Sequence, residues 1–120
     1  MKYILAADDE PVNLLLIEEM LMDEYEIKCV GDGLQCLKSV EDRLPDLILL
    51  DVAMPGMTGL EVCKQLHDND KTRHIPVIIL SGFASKEDIA RGFEAGADFY
   101  ISKPFRPATL REEIQKQLSD

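Results

Sequence analysis

The amino-acid sequence predicts an α/β domain: a doubly wound sheet of five parallel strands with helices on both faces. Three observations predict it. Apolar strand candidates near residues 2–7, 26–30, 46–51, 76–80 and 98–102 alternate with five helical stretches, and such alternation through short loops means a parallel sheet covered on both sides. The third and fourth candidates, Leu47-Ile48-Leu49-Leu50 and Val77-Ile78-Ile79-Leu80, are unbroken apolar runs, as strands buried on both faces require. No repeat, linker or low-complexity tract divides the 120 residues, so a single domain spanning 1–120 is expected.

The elements follow in order. The first strand, Tyr3-Ile4-Leu5-Ala6-Ala7, runs into Asp8-Asp9. Pro11 then suits the first turn of a helix, where its missing N–H costs nothing, and Leu14, Ile17 and Leu21 share one face of that helix. The third strand runs into Asp51 and the turn Asp51-Val52-Ala53-Met54-Pro55-Gly56. Thr58-Gly59-Leu60-Glu61 has the spacing of a capping box opening the third helix. Gly56 and Gly59 are expected to let this loop approach a ligand closely. The fourth strand runs into Ser81. Ser85 then caps the fourth helix, with Glu87 and Asp88 at the positive end of its dipole. The fifth strand, Phe99-Tyr100-Ile101-Ser102, runs into Lys103-Pro104, and Pro107 opens a last helix striped by Leu110, Ile114 and Leu118.

Composition narrows the function classes. The net charge of −10, with 13 scattered basic residues, argues against direct nucleic-acid binding by this domain. Cys29, Cys36 and Cys63 are odd in number and lack metal spacing, which fits free thiols in a reducing cytoplasm. No apolar run approaches the roughly 20 residues of a membrane span. Met1-Lys2-Tyr3 leads straight into a strand, so no signal peptide is expected and the location is expected to be cytoplasmic.

Five strands in a doubly wound sheet favour the order 2-1-3-4-5, with a site at the switch point between the first and third strands. Neighbouring strands lie about 4.8 Å apart. Asp8, Asp9, Asp51, Ser81 and Lys103 then converge on the C-terminal edge of the sheet. Two carboxylates 4 Å apart repel by about 4 kcal/mol at an effective dielectric of 20, so the cluster either raises a pKa or takes up a cation. Oxygen donors with room for water suit Mg²⁺. A phosphoryl group there would meet the cation and Lys103, accept a hydrogen bond from Ser81, and face Asp51 as in-line nucleophile. Each residue alone has an ordinary structural reading, as a helix cap, a turn carboxylate, a strand-end hydroxyl or a loop lysine. Their joint arrangement is what points to this chemistry.

These residues resemble the receiver domain of response regulators in two-component signal transduction, a flavodoxin-like fold. Asp8-Asp9-Glu10-Pro11, Leu49 to Gly59, and Ala95 to Phe105 carry the resemblance, which covers essentially the whole chain. It implies that Asp51 is the phospho-acceptor and that Asp9, Asp51 and the Ala53 carbonyl ligate Mg²⁺ directly, while Asp8 acts through water. It implies that Ser81 is the switch hydroxyl, Tyr100 the switch aromatic and Lys103 the catalytic lysine of the phosphoryl pocket, with a cis Lys103–Pro104 bond. The donor would be a phosphohistidine on a histidine kinase or histidine phosphotransfer protein. Phosphorylation would draw Ser81 inward and let Tyr100 turn into the vacated space, reshaping the face of helix 4, strand 5 and helix 5 toward a downstream protein or output domain. Phe99 and Thr109 stand where the winged-helix transcription-factor subfamily carries charges, which disfavours that subfamily's dimer and leaves only a weak one in view.

Ala53 and Phe83, two residues after Asp51 and Ser81, flank the path of a hydrolytic water. Neither side chain can orient water, so a long-lived aspartyl phosphate is expected. Two other classes compete. A Mg²⁺-dependent phosphohydrolase would need a second acid beside its nucleophile after strand 1 and a substrate cap, and neither is in the sequence. A phosphate-independent interaction module would not need the intact acidic pair, Asp51, Ser81 and Lys103. The expected role is regulatory rather than enzymatic, with self-phosphorylation and autodephosphorylation the only turnover. The chain's end at Ser119-Asp120 fits both a stand-alone regulator and a piece of a longer one.

Overall fold

A computed structural model of the chain describes residues 1–119. Five strands and five helices alternate: β1 (Tyr3–Ala7), α1 (Pro11–Leu21), β2 (Glu26–Val30), α2 (Gly33–Asp42), β3 (Leu47–Leu50), α3 (Gly59–Asp68), β4 (Val77–Ser81), α4 (Lys86–Glu94), β5 (Phe99–Ser102) and α5 (Pro107–Leu118). All strand pairings are parallel and the order is β2-β1-β3-β4-β5, as expected.

Period-two alternation divides the strands between two cores. Leu5, Ala7, Ile48, Leu50, Val77 and Ile79 face Cys36 and Val40 of α2 and Val62, Cys63 and Leu66 of α3. Ile4, Ala6, Leu47, Leu49, Ile78, Leu80 and Ile101 face Ile17 and Leu21 of α1 and Leu110 and Ile114 of α5. The two central runs are buried throughout.

The expected helix ends are present. Pro11 and Pro107 occupy first turns. Thr58 and Glu61 form a capping box at α3, and Ser85 forms one with Asp88 at α4. Each cap satisfies main-chain N–H groups that the helix itself leaves unpaired. The α2 start rests on Asp32, whose carboxylate accepts from the Gln35 N–H at 2.8 Å. On α1 the predicted face is only part of the story: Ile17 and Leu21 are buried and Leu14 is half-buried, while Val12, Leu15 and Leu16 face outward.

The N-terminal edge of the sheet is tied by two aspartates. Asp46 and Asp98 precede β3 and β5. The Tyr3 N–H donates to Asp46 Oδ2 at 2.7 Å, and the Asp46 N–H donates back to the Tyr3 carbonyl at 2.7 Å. Val77 and Asp98 repeat the pattern, at 2.9 Å in both directions.

Candidate functional site

The opposite edge of the sheet holds the chemistry. Strand order alone brings the ends of β1, β3, β4 and β5 side by side. Asp8 and Asp9 leave β1, Asp51 leaves β3, Ser81 ends β4 and Lys103 leaves β5. Main-chain bonds extend the ladder into these residues: the Asp51 N–H donates to the Ala7 carbonyl at 3.0 Å, and the Lys103 N–H to the Ser81 carbonyl at 2.9 Å. The Lys103–Pro104 peptide bond is cis.

Lys103 Nζ joins the carboxylates, donating to Asp8 Oδ2 at 2.8 Å and to Asp51 Oδ2 at 3.2 Å. Asp8 and Asp51 are both buried. Asp8 is further held by the Glu10 N–H on Oδ1 (3.0 Å) and by Asn13 Nδ2 on Oδ2 (3.2 Å). Asp9 is exposed, free of these ties. The Ala53 N–H reaches toward Asp51 Oδ1 at 3.4 Å from an exposed turn.

The pocket is short of positive charge. Burial pushes the Asp51 carboxyl upward; the Lys103 ammonium offsets part of this and Asp8 adds to it, leaving the pKa above the ordinary carboxylate value. Burial works against the Lys103 ammonium, but its bond to Asp8 and the charges of Asp51 and Asp8 outweigh that and raise its pKa. One ammonium therefore serves two buried carboxylates. Among the described residues, Asp8, Asp9 and Glu10 bring carboxylate oxygens within 4.8 Å of one another. An all-oxygen donor set beside an under-neutralised Asp51 fits a hard divalent cation such as Mg²⁺. Glu10 belongs to this cluster although the sequence suggested no ligand role for it. Asp51 is not in that cluster; Lys103 links it to Asp8.

Ser81 is wholly buried, and its Oγ accepts from the Phe83 N–H at 3.1 Å. The Phe83 side chain is 57% exposed, while its carbonyl accepts from the Tyr100 hydroxyl. The Tyr100 ring already packs on the core beneath α4. The resemblance implied a ring able to turn inward beside Ser81; the ring is half-buried against this core, with Ser81 bonded to the Phe83 N–H. Burial raises the Tyr100 phenol above its ordinary pKa, Asp88 and Asp51 add to this, and the Ser81 hydroxyl opposes it.

The two loop glycines differ in role. Gly56 has φ +78°, a left-handed conformation that favours glycine. Gly59 makes room for the main chain of Asp51 and Val52, rather than for a ligand. Beside the site, a groove of about 750 Å³ runs between α1 and the start of α5, lined in part by Leu16, Met20, Lys103, Phe105 and Arg111.

Comparison with known proteins places this geometry. Residues 4–115 match the family described as the response regulator receiver domain. The response regulator PleD of Caulobacter vibrioides is 43% identical over 113 residues, which are 93% of this chain and 25% of PleD; the chain thus spans about a quarter of that relative's length. The polar-differentiation response regulator DivK of Brucella anthropi is 38% identical over 120 residues, 99% of this chain and 98% of DivK. A crystal structure of the receiver domain of a Pseudomonas aeruginosa sensor histidine kinase, with a magnesium ion in its active-site cleft, superposes with a TM-score of 0.91 at 32% identity, covering 99% of this chain and 98% of that one. The chain belongs to the receiver domain family of two-component response regulators.

Proposed function

We propose that the domain accepts a phosphoryl group on Asp51 from a phosphohistidine of a histidine kinase or histidine phosphotransfer protein, and passes the signal through the face formed by α4, β5 and α5. The single observation that carries this reading is Lys103 Nζ bridging the buried carboxylates of Asp8 and Asp51. Three strand ends meet in that bridge.

Asp51 Oδ attacks phosphorus in line; the P–N bond to the donor imidazole breaks, its electron pair staying on the nitrogen, which then takes a proton. Lys103 compensates the charge that accumulates on the phosphoryl oxygens. The Ser81 hydroxyl, whose oxygen accepts from Phe83 N–H, keeps its own proton to donate to one of them. Asp8, Asp9, Asp51 and the Ala53 carbonyl, with Glu10 close by, are the groups that would hold Mg²⁺. When bound, Mg²⁺ neutralises the phosphoryl and carboxylate oxygens so that two anions can meet. The exposed Val12, Leu15 and Leu16 of α1 lie on the element that follows the acidic pair, which supports docking of the phosphodonor there. Release of phosphate is slow, because neither Ala53 nor Phe83 orients water. The output is a downstream protein or attached domain, and the cytoplasmic setting is supported by membership of the receiver family; no described helix is long and apolar enough to cross a membrane.

Beryllofluoride with Mg²⁺ provides the test. Bound-fluoride NMR resonances present in the native chain and lost in Asp51→Asn are expected. Catalytic turnover of small phosphoesters would favour a phosphohydrolase, and absence of both adduct and Mg²⁺ binding would leave a phosphate-independent interaction module.

A further inference from the structure

Gly92 lies inside α4 and is buried. Its backbone does not explain it, for its φ is not positive. A glycine inside a helix is disfavoured against alanine by about fivefold in the folding equilibrium. Neither backbone conformation nor helix propensity therefore calls for glycine here.

Its neighbour does. A β-carbon on Gly92 would lie 2.7 and 2.9 Å from Cδ2 and Cε2 of Tyr100, and 3.2 Å from Ile79 Cδ1. Real β-carbons almost never approach a heavy atom within 3.0 Å. The ring fills the space that an alanine methyl would need. Its hydroxyl is anchored on the far side by the Phe83 carbonyl. Tyr100 is therefore held at two points, by a missing side chain on α4 and by a main-chain acceptor on the β4–α4 loop.

We propose that Gly92 is a positioning residue for Tyr100: it leaves open the inward place of the ring, so that the ring rests there before any phosphoryl group reaches Asp51. This rests on the phosphoryl-transfer reading for its meaning, since Tyr100 matters as part of a switch. Its consequence is specific. Where the inward place is blocked at rest, phosphorylation must move the ring. Here the inward state is the resting majority, and phosphorylation acts through Ser81 and the β4–α4 loop with little change in Tyr100 itself.

The test uses the full chain labelled with 3-fluorotyrosine. The chain has three tyrosines, and loss of one ¹⁹F signal in Tyr100→Phe assigns the third. In the native protein the Tyr100 signal is expected to be shielded from a soluble paramagnetic quencher and to move little when Mg²⁺ and beryllofluoride are added. In Gly92→Ala the free protein should show that signal shifted and quenched several-fold more strongly. An unchanged signal in Gly92→Ala overturns the proposal. A stability cycle guards against a variant that is merely damaged. Gly92→Ala should lower the folding equilibrium constant in the native background and raise it, by about fivefold, in a Tyr100→Ala background. The same sign in both backgrounds also overturns it. Failure of the parent reading would look different: no bound-fluoride signal at Asp51, with the Tyr100 behaviour intact.

Discussion

The α-carbon of Gly59 rests against the main chain of Asp51. A β-carbon at Gly59 would lie 2.0 Å from the Asp51 carbonyl oxygen and 2.8 Å from its carbonyl carbon. The Gly59 N–H meanwhile donates to the Val52 carbonyl at 2.9 Å. The first residue of α3 is thus packed on the main chain of the proposed acceptor.

Gly59→Ala is expected to force these two main chains apart. A loss of about 1–3 kcal/mol is the usual scale for overpacking. Beryllofluoride affinity should fall with it, because Asp51 and the Ala53 carbonyl move together. Gly82→Ala is the control, since nothing lies within 4 Å of a β-carbon there. Urea unfolding of both variants decides; equal midpoints would show that the contact is not limiting.

Removing the lysine leaves Asp8 and Asp51 buried without their shared cation. Lys103→Met should lose about 3 kcal/mol, the scale for breaking a buried ion pair from one side. Millimolar Mg²⁺ should return part of that loss, more than it adds to the native chain, because cation binding to the folded state alone stabilises by mass action. Thermal melts with and without Mg²⁺ measure this. A melt indifferent to Mg²⁺ would mean the acidic cluster holds no cation.

The lifetime of the aspartyl phosphate is expected to depend on two side chains that touch neither Asp51 nor Lys103 by hydrogen bond. Ala53 is exposed in the turn after Asp51 and Phe83 is exposed after Ser81. Ala53→Asn with Phe83→Glu supplies groups able to hold a water. Dephosphorylation should then speed up by about tenfold, or about 1.4 kcal/mol in the barrier. The decay of phosphorylated protein after the donor is removed is the readout, and an unaltered rate defeats the idea.

The cysteines carry a pH prediction. Burial pushes Cys36 and Cys63 up to about 12, and Cys29, beside Glu18, up to about 11. Thiolate is the reactive form. At pH 8 the folded protein should be nearly inert to a disulfide reagent, and should release three equivalents once unfolded. These groups have raised folded-state pKa values, so the stability they contribute is whole below about pH 9, the ordinary thiol value, and declines as pH climbs toward 12. Rapid titration of any thiol in native protein would contradict this.

Much of this was legible because parallel strands deliver chemistry at their ends. The unbroken apolar runs of β3 and β4 already called for burial on both faces, while the core that each side chain enters came from the structure. Asp8, Asp9, Asp51, Ser81 and Lys103 needed only the strand order to become neighbours. Residues acting through shape were hidden. Gly92 reads as an unexplained glycine until a ring is found against it. Gly59 was read as clearance for a ligand, because nothing in its spacing says that the Asp51 carbonyl occupies that room. Asn13 and Glu10 gained roles through side-chain rotamers and the first turn of α1. Tyr100 was placed in the right element, but its dependence on Gly92 for the space beneath α4 was not legible.

The paired aspartates at the far edge have a consequence for the acidic site. Asp46 clamps the first residue of β1 and Asp98 the first residue of β4. Each five-residue strand is about 16 Å long, and its other end delivers Asp8 or Ser81. A slip of one residue would displace that delivery by about 3.3 Å and turn every side chain to the opposite face. The two clamps act as the zero marks of two rulers: the position of the reactive groups is measured off from carboxylates that never meet a phosphate.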